Sequence, residues 1–171
     1  MKKILLITAL AVFGAVLAMA DPAVDGTITA GEYAQTKSVL NGTGTLNWSV
    51  DAQGGLSVGL SVKTKGWAGV GFGSEKMDGA YIYFGFVGDD GKPVFSEQSG
   101  KGHRHADSGK VTADKSIVTQ VGDSTTLEFH VAADKLPFTG KTVPFIVASG
   151  EKADLKSYHG GSRETGSITL N

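Results

Sequence analysis

Apolar and polar positions alternate with period two along most of the chain after residue 20. Leu56, Val58, Leu60 and Val62 alternate with Ser57, Gly59, Ser61 and Lys63. Leu127, Phe129 and Val131 alternate with Glu128, His130 and Ala132, and Ile168 and Leu170 close the chain in the same way. Side chains on a strand point to opposite faces in turn, so this spacing predicts strands that each bury one face. Gly54-Gly55 lies between Leu46–Val50 and the run that starts at Leu56, which predicts a hairpin turn. Two further runs, Tyr81–Val87 and Val143–Ala148, are apolar on both faces. Central strands of a sandwich have this composition: one face packs on the core and the other is free to cover a ligand.

About nine or ten such strands, with turn signals at short spacing, predict an all-β, antiparallel sandwich. No stretch of residues 21–171 reads as a long amphipathic helix. Asp134–Pro137 reads as one helical turn between strands. Gly88–Ala113 is the least regular segment, with Asp89-Asp90-Gly91-Lys92-Pro93 and Ser99-Gly100-Lys101-Gly102-His103-Arg104-His105. It is expected to form a turn, a short edge strand and a long exposed loop. His130 alternates out of phase with Phe129 and Val131 and is expected on the solvent face. No internal repeat or linker divides the chain, so residues 21–171 are expected to form one domain.

The first twenty residues break the alternation. Lys2 and Lys3 precede the uncharged, mostly apolar run Ile4–Met19, and Ala18-Met19-Ala20 ends it before Asp21-Pro22. This pattern reads as a secretory signal, and the run is short for a retained spanning helix. The expected destination is the periplasm or the exterior, with no membrane insertion after cleavage. Discounting Lys2 and Lys3 leaves 14 basic against 17 acidic side chains, a net charge of −3. That balance argues against nucleic acid or anionic membrane as partners.

The chain has no cysteine. This excludes haem attached through C-x-x-C-H, cysteine-ligated iron–sulfur clusters, blue copper and cysteine zinc sites. G-x-S-x-G, H-E-x-x-H and P-loop motifs are also missing, and no enzyme activity is expected.

One segment stands apart chemically. In Gly66-Trp67-Ala68-Gly69-Val70-Gly71-Phe72-Gly73, glycines alternate with larger residues, leaving one strand face nearly bare. Glycine in a strand often marks close approach by a ligand or another backbone. The loop Ser74–Ala80 follows and contains Met77, the only methionine after residue 20. Met77 either fills a gap in the sandwich or offers a thioether to iron or copper. Among the histidines, His103 and His105 share a basic stretch with Lys101 and Arg104 and read as a solvated loop. His159, in Ser157-Tyr158-His159-Gly160-Gly161-Ser162-Arg163, is either a surface turn residue or an imidazole ligand.

The Gly-rich run, Met77-Asp78-Gly79-Ala80 and Tyr158–Arg163, in this order and spacing, resemble the DOMON family. Its haem b-binding members include the cytochrome domain of cellobiose dehydrogenase. The opening Val24-Asp25-Gly26-Thr27-Ile28 with Gly31-Glu32-Tyr33 resembles the start of bacterial members. The resemblance implies an immunoglobulin-like β-sandwich with non-covalent haem b, its iron held by Met77 and His159. It departs from the family at Tyr81, where many members carry an acidic residue. A His/Met pair fills both axial positions of the iron, so one-electron transfer is expected rather than catalysis, with separate redox partner proteins.

Trp67, Gly69, Val70, Phe72, Ile82, Phe84 and Phe145 are candidate walls for the cofactor, and Arg163 is a candidate propionate partner. Two alternatives stay open. One is a haem-free module of the same family, with Trp48, Trp67, Tyr81 and Tyr83 stacking on a sugar or other small ligand. The other is a periplasmic copper protein using Met77 with His103, His105 or His159.

Overall fold

A computed structural model describes residues 21–170. The signal reading for residues 1–20 falls outside the described residues. The described residues form eleven strands in two antiparallel sheets. β1 (Gln35–Val39), β2 (Gly44–Val50), β3 (Leu56–Val62), β8 (Ala113–Val121) and β9 (Ser124–Val131) build one sheet, in the order β1-β2-β3-β9-β8. β4 (Ala68–Phe72), β5 (Tyr81–Val87), β6 (Pro93–Lys101), β7 (Arg104–Asp107), β10 (Thr142–Ser149) and β11 (Arg163–Thr169) build the other, in the order β11-β10-β4-β5-β6-β7. The two runs that are apolar on both faces are β5 and β10, and both are interior strands of the six-stranded sheet.

The alternating positions meet between the sheets. Val58, Leu60, Leu127, Phe129 and Val131 from one sheet pack with Val70, Phe72, Tyr83, Val143, Phe145 and Val147 from the other. Tyr83 stacks on Phe129 with ring centroids 4.1 Å apart. Truncating a buried aromatic in such a layer costs about 3–5 kcal/mol.

The predicted turn at Gly54-Gly55 joins β2 to β3. Gly54 takes φ +86°, and the Asp51 carboxylate accepts from the Gln53 and Gly55 amides, each at 2.8 Å. This fixes the register Val50↔Leu56 and sends every apolar residue of β3 to one face. The predicted helical turn is a 3-10 turn at Ala133–Lys135.

Two expectations need correction. The segment 88–113 is not mainly a loop. Asp89–Lys92 is the tight turn, and β6 and β7 then form a hairpin with Gly102 at φ +60° in its turn. Glycine and serine weakened the strand signal there, while pairing with β5 supplies the order. His130 does face away from the core, but it is not simply solvated. Its Nδ1 lies 2.7 Å from Asp114 and its Nε2 lies 3.0 Å from Asp51. Burial alone would push this imidazole down; the two carboxylates outweigh it and hold the ring above its ordinary value.

The opening motif acts as a strap across the five-stranded sheet. Gly26 N–H and Tyr33 O–H each donate to the buried Glu128 carboxylate at 2.7 Å. Thr119 Oγ1 donates to the Gly26 carbonyl at 2.8 Å. The Tyr33 ring occupies the space that a side chain at Gly59 would need.

Candidate ligand face of the six-stranded sheet

Alternation in β4 sends Ala68, Val70 and Phe72 to the inter-sheet core and Gly69 and Gly71 to the outer face. The neighbouring strands do the same. Register places Ala148, Gly69 and Phe84 in one cross-strand row and Ile146, Gly71 and Ile82 in the next. These outward residues form a second apolar cluster: Trp67, Ala80, Ile82, Phe84 and Phe86, with Met77, Ile146 and Leu155 packed against it. Trp67 stacks on Phe84 at 4.7 Å. The space a side chain would take at Gly71 is filled by Ile146 and Ile82, whose atoms lie 2.9 and 3.0 Å from that point. The glycine strip is therefore roofed by aliphatic side chains.

Three of the candidate walls lie elsewhere. Val70, Phe72 and Phe145 are almost wholly buried in the inter-sheet core. Period two puts them on the face opposite Gly69, so they cannot line a ligand held there. Trp67, Gly69, Ile82 and Phe84 do share the outer face. Arg163 joins them as the cross-strand partner of Ala148.

Met77 reaches this face from a loop beyond the C-terminal end of β4. That loop is fastened to the β6–β7 hairpin. Gly79 N–H donates to the Gly100 carbonyl at 3.1 Å, Gly100 N–H donates to the Ala80 carbonyl at 2.9 Å, and Gly102 N–H donates to Asp78 Oδ1 at 2.7 Å. The Met77 carbonyl lies so close to Gly100 that an added Cβ would sit 1.7 Å from it. Gly100 is thus required for the Met77 loop to lie where it does.

His159 approaches from the other end, in the loop 150–162. Gly150 N–H donates to the Trp67 carbonyl, and Trp67 Nε1–H donates to Ser157 Oγ, each at 3.0 Å. Ala153 and Leu155 of this loop pack on the outer cluster, and residues 152–157 with Phe86 line a shallow open groove. His159 Nδ1 lies 2.8 Å from the Gly160 carbonyl. A carbonyl only accepts, so in the neutral ring the proton sits on Nδ1 and the lone pair on Nε2. The Met77 loop and the 150–162 loop, which carries His159, therefore lie at opposite ends of β4, and Met77, Ala153 and Leu155 pack on the outer cluster.

Sequence reading placed His105 in a solvated loop and offered it only as a copper ligand. It lies in β7, half-buried, with its ring stacked over Phe84 at 6.0 Å. Its Nδ1 pairs with the Gln98 side-chain oxygen. Burial pushes this imidazole below its ordinary value, so the ring is neutral near neutral pH. His103 remains exposed.

Tyr81, at the position where many family members are acidic, donates its O–H to Glu97 Oε2 at 2.6 Å. The buried Glu97 carboxylate also accepts from Thr112 N–H at 2.8 Å and Ala113 N–H at 3.0 Å. An acid is therefore present beside Tyr81, supplied by β6. Of the aromatics considered for a sugar, Trp48 and Tyr83 belong to the inter-sheet core, and Trp48 Nε1–H donates to the Thr169 carbonyl. Among the described residues, no three His, Asp or Glu side chains converge to hold a metal ion. None of the described helices is long and apolar enough to cross a membrane.

The sequence matches the DOMON domain over residues 40–150. That stretch contains Met77 and His105 and ends before His159. Two solved structures share the fold. The cytochrome b domain of pyranose dehydrogenase from Coprinopsis cinerea is similar at 13% identity and TM-score 0.55, covering 78% of this chain and 80% of that one. The cytochrome domain of Myriococcum thermophilum cellobiose dehydrogenase is similar at 14% identity and TM-score 0.52, covering 75% of each chain. No curated protein matches the chain. With the matched stretch covering more than half of its length, the chain belongs to the DOMON family.

Proposed function

We propose that this domain binds haem b without a covalent link and serves in one-electron transfer. The observation that carries this reading is the outer face of the six-stranded sheet. A half-buried thioether packs against this apolar surface, and a loop that also packs on it carries His159, in a chain without cysteine. The donor set fits the group. Met77 Sδ and His159 Nε2 would hold the iron, supplying one soft and one borderline ligand.

Bound in this way, haem supplies a one-electron couple whose potential a thioether ligand raises. The chain's own residues supply the setting. Trp67, Ile82 and Phe84 exclude water from the face, and the Gly160 carbonyl, accepting from His159 Nδ1–H, would leave Nε2 to the iron. Arg163, exposed beside Ala148, is placed for a charge-assisted pair with a propionate. The resemblance to haem b cytochrome domains supports the reading, as does the exported location expected from residues 1–20. Electron donor and acceptor would be separate proteins.

The test is absorption spectroscopy of the purified domain titrated with hemin. A sharp low-spin Soret band that shifts on reduction is expected, and Met77→Leu should abolish the thioether-to-iron charge-transfer band. A hemin spectrum unchanged by excess protein would sink the haem reading.

A further inference from the structure

Four observations converge on His105. It lies on the same outer face as Met77, because its cross-strand partner Gly100 is the residue against which the Met77 carbonyl is packed. Its ring leans inward over the sheet and stacks on Phe84, at the centre of the outer cluster. Its Nδ1 is committed to the side-chain oxygen of Gln98, which is only 5% exposed. Gln98 is itself oriented: its Nε2–H donates to Ser96 Oγ at 3.0 Å, which turns the amide oxygen towards the ring.

An acceptor on Nδ1 fixes the proton there and leaves Nε2 with its lone pair. A buried acceptor fixing one ring nitrogen is the arrangement that holds metal-ligating histidines. Solvated histidines on edge hairpins need no such support. The Ser96–Gln98–His105 chain orders three polar side chains, at an entropic cost that a free surface ring would not repay. His105 and His159 thus present the same chemistry, a fixed tautomer with a free Nε2, and His105 sits on the hairpin that anchors the Met77 loop.

We infer that His105 is a second nitrogen donor for the cofactor proposed above, placed to take the iron position of Met77 when the thioether is absent. This inference rests on the haem reading. It makes the face a three-donor site, Met77, His159 and His105, of which the iron uses two at a time. Thioether ligation raises the potential and bis-imidazole ligation lowers it, so the ligand in use would set the potential of the domain.

The experiment uses the full mature domain loaded with hemin and compares wild type, His105→Ala, Met77→Leu and Met77→Leu/His105→Ala by absorption and electron paramagnetic resonance. Met77→Leu keeps the side-chain volume, and Met77→Ala provides an independent second variant. Thermal unfolding of each apo form shows that the fold survives. Met77→Leu and Met77→Ala should lose the thioether band but stay low-spin, with a bis-imidazole resonance and a lowered midpoint potential. The double variant should turn high-spin. High-spin iron in Met77→Leu, or a double variant as low-spin as Met77→Leu, would overturn the assignment of His105. A wild-type protein that leaves the hemin spectrum unchanged would instead remove the haem reading, and this inference with it.

Discussion

The residue that decides where Met77 lies is Gly100. A Cβ there would sit 1.7 Å from the Met77 carbonyl and 3.4 Å from the Ala80 carbonyl, so backbone rather than a flexible side chain must move. Gly100→Ala is expected to cost about 1–3 kcal/mol, the usual penalty for forcing atoms into packed space. It should also displace the Met77 loop. Chemical denaturation measures the first effect, and loss of the thioether band in the hemin-loaded protein measures the second. A variant of wild-type stability would show that the loop has slack. Met77 stood out in sequence as the one methionine after residue 20, and the structure packs it against the outer cluster. The placement of His105 was not legible. Its neighbours Lys101 and Arg104 suggest solvent, and only the β6–β7 pairing turns the ring onto Phe84.

His130 gives a second prediction at this scale. Its folded pKa is raised by Asp114 and Asp51 against the effect of burial, while both aspartates, despite some desolvation, are lowered by hydrogen bonds that include His130. The histidine's contribution to stability is complete below its ordinary value of 6.5 and is lost as pH rises through its folded value. The aspartates contribute above their ordinary value of 3.8 and lose that contribution as pH falls through their folded values. The cluster should therefore stabilise most between pH of about 4 and 6.5. The effect is up to about 1 kcal/mol for partly exposed pairs. His130→Gln should flatten the fall in urea midpoint above pH 6.5. The same fall in wild type and variant would assign the dependence elsewhere.

At the scale of elements, the alternating runs and the Gly54-Gly55 hairpin were legible because period two and a positive-φ glycine act locally. β6 and β7 were not. Their order comes from pairing with β5 and from Glu97, whose carboxylate draws Thr112 and Ala113 back onto the sheet. The strap 24–33 was recognised as a motif, but its role is visible only through Glu128. Tyr33→Phe keeps the ring over Gly59 and removes the O–H that Glu128 accepts. Leaving one oxygen of that buried carboxylate unpaired should cost about 1–3 kcal/mol, and thermal unfolding would report it. An unchanged midpoint would mean that the ring alone holds the strap.

At the scale of the whole molecule, two apolar layers explain the division of labour. The inter-sheet layer, with Val70, Phe72 and Phe145, closes the sandwich and is fully occupied by side chains. The outer layer, with Trp67, Ile82, Phe84 and Met77, is more than a stable sandwich needs, since an antiparallel sheet can leave one face to water. Two flanking loops and one hairpin border that surplus layer, and Met77 and the oriented imidazole of His105 lie against it. Sequence alone could not assign its strip residues to one face or the other without the register of β4 between β10 and β5.

The most direct test of this account is a hemin titration of the domain followed by absorption spectroscopy. The account predicts saturation at one haem per chain, with a sharp low-spin Soret band that shifts on reduction. A spectrum that stays that of free hemin at excess protein would contradict it.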